Sequence, residues 1–370
     1  MSEWRAVEVE HMRHALGLAA LGTNTTDPNP RVGCVLTRAD IVVGEGWHER
    51  AGAEHAEVRA LQTAGSGARG TTAYVTLEPC ASQGRTPPCT SALIAAGVRR
   101  VVYASPDPNP RMQGGAQLLR QAGIEVASGL LAAEARELNP GFYSRLERHR
   151  PWVRLKLGAS LDGRTALANG ASRWITSKPA RADAQLYRAR SSVVLSGIGT
   201  VLADDPALNV RIEGASRQPL RVVLDSALRA PAGARMFNRE GPALIFVSST
   251  LPDLAARAEP FKRAGIRVEA VAPAPGGGLD LHAVLARLAA LEANELWVEA
   301  GARLAGAFLA QRLVDELVLY VAPCLLGAGA MPLAELPQLS DLDQRLAMRF
   351  HEVTRSGEDL RLVLRPETPR

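Results

Sequence analysis

His55-Ala56-Glu57, followed by Glu78-Pro79-Cys80 and then Cys89, limits what the first third of this 370-residue chain can fold around. One imidazole and two thiolates fill three corners of a zinc tetrahedron and leave the fourth for water. The metal brings that water's pKa near neutrality. Hydroxide at neutral pH can attack an amidine carbon, but the departing amine must be protonated, so a carboxylate has to carry the proton across. Glu57 is placed for that shuttle, and the implied reaction is hydrolytic deamination. Residues two apart on an ideal helix diverge by roughly 200°, so His55 and Glu57 can converge on one metal only in a first, irregular turn. The sequence permits this, because Gly52-Ala53-Glu54 reads as loop and Ala56, Ala60 and Ala64 recur at helical spacing. Pro87-Pro88-Cys89 starts a second helix, whose dipole favours the thiolate that zinc requires.

The plainer readings are packed core residues or a disulfide. Four cysteines in 370 residues, with Cys34 and Cys324 isolated, make no disulfide framework. A structural zinc site adds a fourth protein ligand, and no further His or Cys stands close in sequence to these three, which favours an open, catalytic metal. The spacing is irregular: the general deaminase signature has two residues between its cysteines, and this chain has eight, Ala81 to Pro88.

Length and composition point to two domains of an ordinary enzyme, with 46% hydrophobic and 22% charged residues. No apolar segment is long enough to span a bilayer, and Glu3, Glu8 and Glu10 stand within the first twenty residues, so we expect a cytoplasmic protein without a membrane partner. The net charge of +5 and pI near 9.3 raise the question of nucleic acid. Only three of the 43 basic residues are lysine, the arginines are scattered, and aromatics make up 4%. That pattern fits small phosphorylated substrates better than a nucleic-acid groove.

The first part of the chain alternates helix and strand signals: a helix near Val7–Leu21, strands at Val32–Leu36 and Ile41–Gly44, the His55 helix, a strand at Ala73–Leu77, the Cys89 helix, a strand at Arg100–Ala104 and a helix ending at Gly123. This is a three-layer α/β pattern. The charged run Arg145–Arg150 ends at Pro151, giving expected domains at 1–146 and 152–370, the second also α/β and opened by a strand at Trp152–Leu157. The second domain lacks a Gly-x-Gly-x-x-Gly fingerprint, and Gly197-Ile198-Gly199-Thr200 alone identifies no cofactor.

Further motifs carry a resemblance. In the first half they are Pro28-Asn29-Pro30-Arg31-Val32-Gly33, His48-Glu-Arg-Ala-Gly52, Thr76-Leu-Glu-Pro-Cys80, Gly84-Arg-Thr-Pro-Pro-Cys89 and Asp107-Pro-Asn-Pro110. In the second they are Leu155-Lys-Leu-Gly-Ala-Ser-Leu-Asp-Gly-Arg-Thr165, Trp174-Ile-Thr-Ser177, Gly199-Thr-Val-Leu-Ala-Asp-Asp-Pro206, Leu224-Asp-Ser226, Trp297-Val-Glu-Ala-Gly301 and Leu313-Val-Asp-Glu-Leu317. From about residue 10 to about 365 the chain resembles the bifunctional deaminase/reductase family of riboflavin biosynthesis. The resemblance implies a cytidine-deaminase-like three-layer domain followed by a dihydrofolate-reductase-like domain. It also implies zinc and NADPH as cofactors, a pyrimidine ribosyl phosphate as substrate, and a homodimer or tetramer formed through the reductase domain. By resemblance, Ser172, Arg188, Leu208, Arg211 and Glu299 contact substrate. Gly158, Trp174, Thr200, Asp204, Ser226 and the stretch Gly301, Ala302, Arg303, Leu304, Ala305, Gly306, Ala307 contact cofactor.

Several of these positions have two readings. Arg188 is a solvated helix arginine or, with Arg211 and the Ser172 hydroxyl, a donor to a phosphate dianion. Trp174 packs in the core or flanks the nicotinamide. Asp204 closes a turn or meets the cofactor, and Gly301 and Gly306 are turn residues or admit a pyrophosphate to backbone amides. Lys156 holds a polar substrate group or stands in solvent at a strand end. Asn29, between two prolines, bonds the substrate or only shapes its turn. The chain departs from the family at Ala81-Ser82-Gln83, where a histidine is usual. It departs again at Gly114-Gly115, where a basic residue is missing, and at Ala302-Arg303 and Cys324. Two rivals stand beside the enzyme reading: a nucleic-acid base deaminase, and a zinc-stabilised scaffold with decayed sites.

Overall fold

The computed structural model describes residues 4–84 and 87–367 and divides into two compact units, Met1–His149 and Arg150–Arg370. The first is built on a five-stranded sheet of β1 (Gly33–Arg38), β2 (Ile41–Trp47), β3 (Thr72–Leu77), β4 (Arg100–Ser105) and β5 (Glu125–Ser128), in the order β2-β1-β3-β4-β5. Ala39 and Asp40 both take left-handed φ, 49° and 64°, and close a two-residue hairpin between β1 and β2. β1 runs antiparallel to β2 and β3, and β3, β4 and β5 are parallel. Side chains alternate across this sheet: Cys34 and Leu36 pack with Ala56 and Ala60 on one face, and Val35 packs with Met12 and Ala15 on the other.

One contact in this unit governs the site. A Cβ at Gly44 would lie 2.4 Å from the Ala60 carbonyl oxygen, and one at Gly46 would lie 2.6 Å from the Ala60 nitrogen. The helix Ala56–Ala64 therefore rests directly on the backbone of β2, a distance that only glycine allows.

The second unit has a nine-stranded sheet. Its strands are β6 (Trp152–Ser160), β8 (Val193–Gly197), β9 (Leu220–Leu224), β10 (Ala243–Ser248), β11 (Arg267–Val271), β12 (Glu295–Glu299), β13 (Glu316–Ala322), β15 (Met348–Ser356) and β16 (Asp359–Pro366). A separate ladder joins β7 (Arg164–Ala166) to β14 (Met331–Pro332). The order is β11-β10-β9-β8-β12-β6-β13-β16-β15, parallel from β11 to β13 and antiparallel at β16 and β15. The chain steps outward from β8 to β11, then returns and inserts β12 between β8 and β6. Ligands of open α/β sheets collect at the carboxyl ends of strands beside such a reversal. The helix Lys178–Arg190 covers the face bearing Val194, Trp297, Val318 and Tyr320, and the helices Leu281–Ala290 and Ala302–Ala310 cover the other. No described helix in either unit is long and apolar enough to cross a membrane.

A buried ion network ties the amino-terminal ends of three adjacent strands together. Arg154 on β6 donates through Nε to Glu316 on β13 and through Nη1 to Glu295 on β12. Arg365 donates to Glu316 at 2.8 Å and Arg190 to Glu295 at 2.9 Å. Burial alone would raise the Glu316 carboxyl, but Arg154 and Arg365 outweigh it and hold its pKa at about 2. Removing one partner from a buried network leaves uncompensated charge. Arg154→Met is accordingly expected to lower the stability of the second unit by about 3–5 kcal/mol, read from the midpoint of that unit's transition in denaturant.

Candidate active site

In the first unit His55 is the N-cap of the Ala56–Ala64 helix, with extended backbone (φ −75°, ψ 162°), and Glu57 is the second helical residue. The break in helical geometry at the N-cap is what lets side chains two residues apart approach one another. Cys80 follows β3, and Cys89 opens the helix Cys89–Ala95. The ligating atoms of His55, Cys80 and Cys89 all lie within 4.8 Å of one another. His55 Nδ1 is 3.1 Å from Cys89 Sγ and 3.7 Å from Cys80 Sγ, and the Cys89 amide donates to Cys80 Sγ at 3.2 Å.

Hydrogen bonding from Cys89 and His55 lowers the Cys80 thiol below its ordinary range, and the shared bond with Cys80 pushes the Cys89 thiol up. Burial raises the Glu57 carboxyl above the ordinary carboxylate range. An N/S/S donor set with a desolvated carboxylate beside it fits zinc and its proton carrier.

The segment that carries Cys80 is held from behind. Glu78 Oε1 accepts the Ala116 amide at 3.0 Å, and a Cβ at Gly115 would lie 1.8 Å from the Pro79 carbonyl oxygen. Gly114-Gly115, a departure when read as a missing basic residue, is the contact that lets Pro79 dock on the helix Gly115–Gln121. Sequence reading missed this because the contact joins residues distant in the chain. In the stretch after Cys80, Arg85 and Thr86 of the Gly84–Cys89 motif lie outside the described residues.

Asn29 and His48 form a second layer. The Glu54 carbonyl, 3.0 Å from His48 Nδ1, can only accept, so Nδ1 carries the proton and Nε2 accepts from Asn29 Nδ2 at 3.0 Å. Burial lowers the His48 pKa, and the ring lies edge-on to His55 with centroids 5.4 Å apart. Asn29 thus does more than shape a turn. Asp107, raised to about 6 chiefly by burial, accepts the Asn109 amide at 2.8 Å.

In the second unit, Lys156 and Glu299 are register partners on β6 and β12, and Gly158 lies two residues beyond Lys156 on the same face. Arg188 closes a two-pronged pair on Glu299, with Nε to Oε1 at 2.6 Å and Nη2 to Oε2 at 2.8 Å, and donates through Nη1 to the Asn209 carbonyl at 2.9 Å. Arg188 is thus buried and paired within the chain, and not a solvated helix arginine. Burial would raise Glu299, but the Arg188 pairing, with Lys156 and Trp297, holds it at about 2. Lys156 is half-buried rather than in solvent, and burial lowers its pKa. Arg211 is exposed and within electrostatic reach of Arg188 and Glu299, so it takes over as the cation turned outward.

Leu208 also departs from expectation. Its side chain is buried in the core and its φ is +51°. Ser172 is half-buried in the loop before Trp174. Trp174 is 68% exposed with the Arg181 guanidinium 4.2 Å from its ring centroid, so it is not core packing.

Thr200 and Asp204 lie on the helix Ile198–Asp204 after β8, and the Asp204 carbonyl accepts from Arg173 at 2.7 Å. Ser226 follows β9. Gly301 is the exposed N-cap of the helix Ala302–Ala310 after β12. Thr200, Ser226 and Gly301 thereby stand at the carboxyl ends of adjacent strands β8, β9 and β12. The Gly301–Ala307 stretch is not uniform. Ala302 and Ala307 are half-buried, Leu304 leans over Gly197, and the Arg303 side chain is 93% exposed. Ala305 is in the core, and a Cβ at Gly306 would lie 1.9 Å from the Glu335 carbonyl oxygen. Close packing of this helix on the loop at Glu335 therefore requires glycine at 306.

Two family models match the chain. Residues 6–105 match the cytidine and deoxycytidylate deaminase zinc-binding region, and residues 151–362 match the RibD C-terminal domain. The chain is 47% identical to the Escherichia coli (strain K12) riboflavin biosynthesis protein RibD, over 96% of this chain and 98% of that protein. The chain belongs to the RibD family. It is a bifunctional enzyme of riboflavin biosynthesis, a zinc-dependent deaminase joined to a reductase. Among solved structures it is similar to Acinetobacter baumannii RibD, form 1, with a TM-score of 0.89 and 41% identity over 98% of this chain and 99% of that one. It is also similar to a diaminohydroxyphosphoribosylaminopyrimidine deaminase/5-amino-6-(5-phosphoribosylamino)uracil reductase from Thermotoga maritima, with a TM-score of 0.84 and 30% identity over 97% and 99%.

The docking of Pro79 on Gly115 has a measurable consequence in this RibD-family site. Gly115→Ala displaces the segment that aims Cys80, and we expect zinc affinity to fall about 10–100-fold, the usual effect of disturbing a ligand's support. Competition with a chromophoric chelator measures it, and reduction by the second unit stays at the wild-type rate.

Proposed function

We propose that the first unit deaminates 2,5-diamino-6-(5-phosphoribosylamino)pyrimidin-4-one and that the second reduces the deaminated ribosylamine to its ribityl form with NADPH. The observation that carries this reading is the convergence of His55, Cys80 and Cys89 beside a buried Glu57. The Thermotoga maritima relative's name gives the same pair of reactions.

His55 Nδ1, Cys80 Sγ and Cys89 Sγ would hold zinc, and that ion supplies the Lewis acidity that makes water a nucleophile near neutral pH. Glu57 takes the proton released as water attacks the amino-bearing carbon, and hands it to the departing ammonia. Burial suits it to both steps, because a carboxyl raised above its ordinary range holds a proton closer to neutral pH. Asn29, with its amide nitrogen engaged by His48, turns its carbonyl oxygen to donors on the substrate.

In the reductase unit NADPH supplies the hydride. Thr200, Ser226 and the Gly301 end of the Ala302–Ala310 helix would cradle it, with Gly158, Trp174 and Asp204 around it. Lys156, Arg211 and Ser172 would hold the polar and phosphate groups of the substrate, while Arg188 fixes Glu299 as a hydroxyl acceptor and the Leu208 main chain lines the same turn. By the same family resemblance, we propose a cytoplasmic enzyme that assembles as a homodimer or tetramer through the reductase unit.

The decisive test is Glu57→Gln. It should retain zinc and lower ammonia release about 10²–10⁴-fold, the range typical of a lost general acid/base. NADPH oxidation should proceed normally when the deaminated substrate is supplied directly. Wild-type ammonia release from this variant would refute the assignment of Glu57.

A further inference from the structure

Trp297 is fully buried in the core of the second unit, and its indole brings one polar atom with it. A buried indole N–H needs an acceptor. It finds Glu299 Oε1 at 2.9 Å. Two residues apart on β12, Trp297 and Glu299 project from the same face of the sheet. Tyr187 stacks on the indole with ring centroids 4.7 Å apart and planes within 11°, and the next residue of its helix is Arg188. One turn of this helix thus supplies both the ring that stacks on the indole and the guanidinium that grips the carboxylate.

Glu299 Oε1 accepts from Arg188 Nε and from Trp297 Nε1, which accounts for both of its lone pairs. Among the described residues, Oε2 accepts from Arg188 Nη2 alone. The carboxylate is left with acceptor capacity on one oxygen and a fixed orientation in its pocket.

We propose that Trp297 is a positioning residue for the reduction: its N–H saturates Glu299 Oε1 and so commits Oε2 to a hydroxyl of the substrate's sugar chain. This rests on the reading of Glu299 as a substrate contact. Core filling alone would need a ring at this position but no N–H. The charged groups facing Glu299 are Arg188 on the Lys178–Arg190 helix, Lys156 on β6 and Arg211 on the loop after β8's helix. All three are cations, so loss of the indole donor raises the Glu299 pKa only part of the way back to its ordinary value.

The test replaces Trp297 with benzothienylalanine in the full-length protein, which keeps the ring and its stack on Tyr187 and exchanges the N–H for sulfur. Trp297→Phe is the genetic counterpart. For 5-amino-6-(5-phosphoribosylamino)uracil supplied directly, KM should rise about tenfold, as for a lost hydrogen bond to a charged group. Turnover should change less, and the acid limb of kcat/KM should move to higher pH. Ammonia release should be unaffected. Unchanged KM and acid limb in the benzothienylalanine protein overturn the proposal, whatever Trp297→Phe does to folding. Glu299→Gln separates the two levels. If it leaves KM unmoved, the reading of Glu299 itself falls; if it raises KM and benzothienylalanine does not, only the role of Trp297 falls.

Discussion

The close approach of the Ala56–Ala64 helix to β2 is the contact on which the deaminase site depends. Gly44 and Gly46 remove the side-chain layer that would separate helix from strand, and the helix backbone settles into the space. Its N-terminus then reaches the end of the sheet where the residues after β3 emerge, so His55 meets Cys80 and Cys89 and not solvent. The same contact buries Glu57 and thereby raises its pKa. A geometric requirement for two glycines becomes an acid/base property of a carboxylate nearby. Gly115 repeats the device on the other side, where Pro79 rests on a helix N-terminus and sets the line along which Cys80 points.

How much of this was legible in the sequence follows from the range of each interaction. His55, Glu57, Cys80 and Cys89 could be picked out because metal ligation demands particular residue types at short spacings, and the N-cap position of His55 follows from helix geometry alone. The alternation of Cys34, Val35 and Leu36 between two cores is equally local. The pairing of Arg188 with Glu299 could not be read, because 111 residues separate them and only the insertion of β12 between β8 and β6 brings them together. Read from the sequence alone, Arg188 is a free fork for a phosphate; in the fold that fork lies on a carboxylate of the same chain. The packing of Gly306 was hidden for the same reason. Its contact, the Glu335 carbonyl, lies in a loop whose course the sequence does not announce.

The parallel strands of the reductase unit separate stability from binding along their own axes. Arg154 and Lys156 project from one face of β6, and Trp297 and Glu299 from the matching face of β12. At the amino-terminal end, Arg154, Arg190 and Arg365 divide two carboxylates among them, with Glu295 and Glu316 each gripped by two arginines. Most of this network's charge is matched within it. Its use is to hold β12, β6 and β13 in register.

Toward the carboxyl-terminal end the balance differs. Glu299 is the carboxylate within electrostatic reach of Lys156, Arg188 and Arg211, and Arg188 already answers it with two hydrogen bonds. Lys156 and Arg211 are left as an excess of positive charge where ligands of such sheets collect. The second unit is therefore electrostatically complete at one end of its strands and incomplete at the other. The excess has the sign that the proposed phosphate ligand would neutralise.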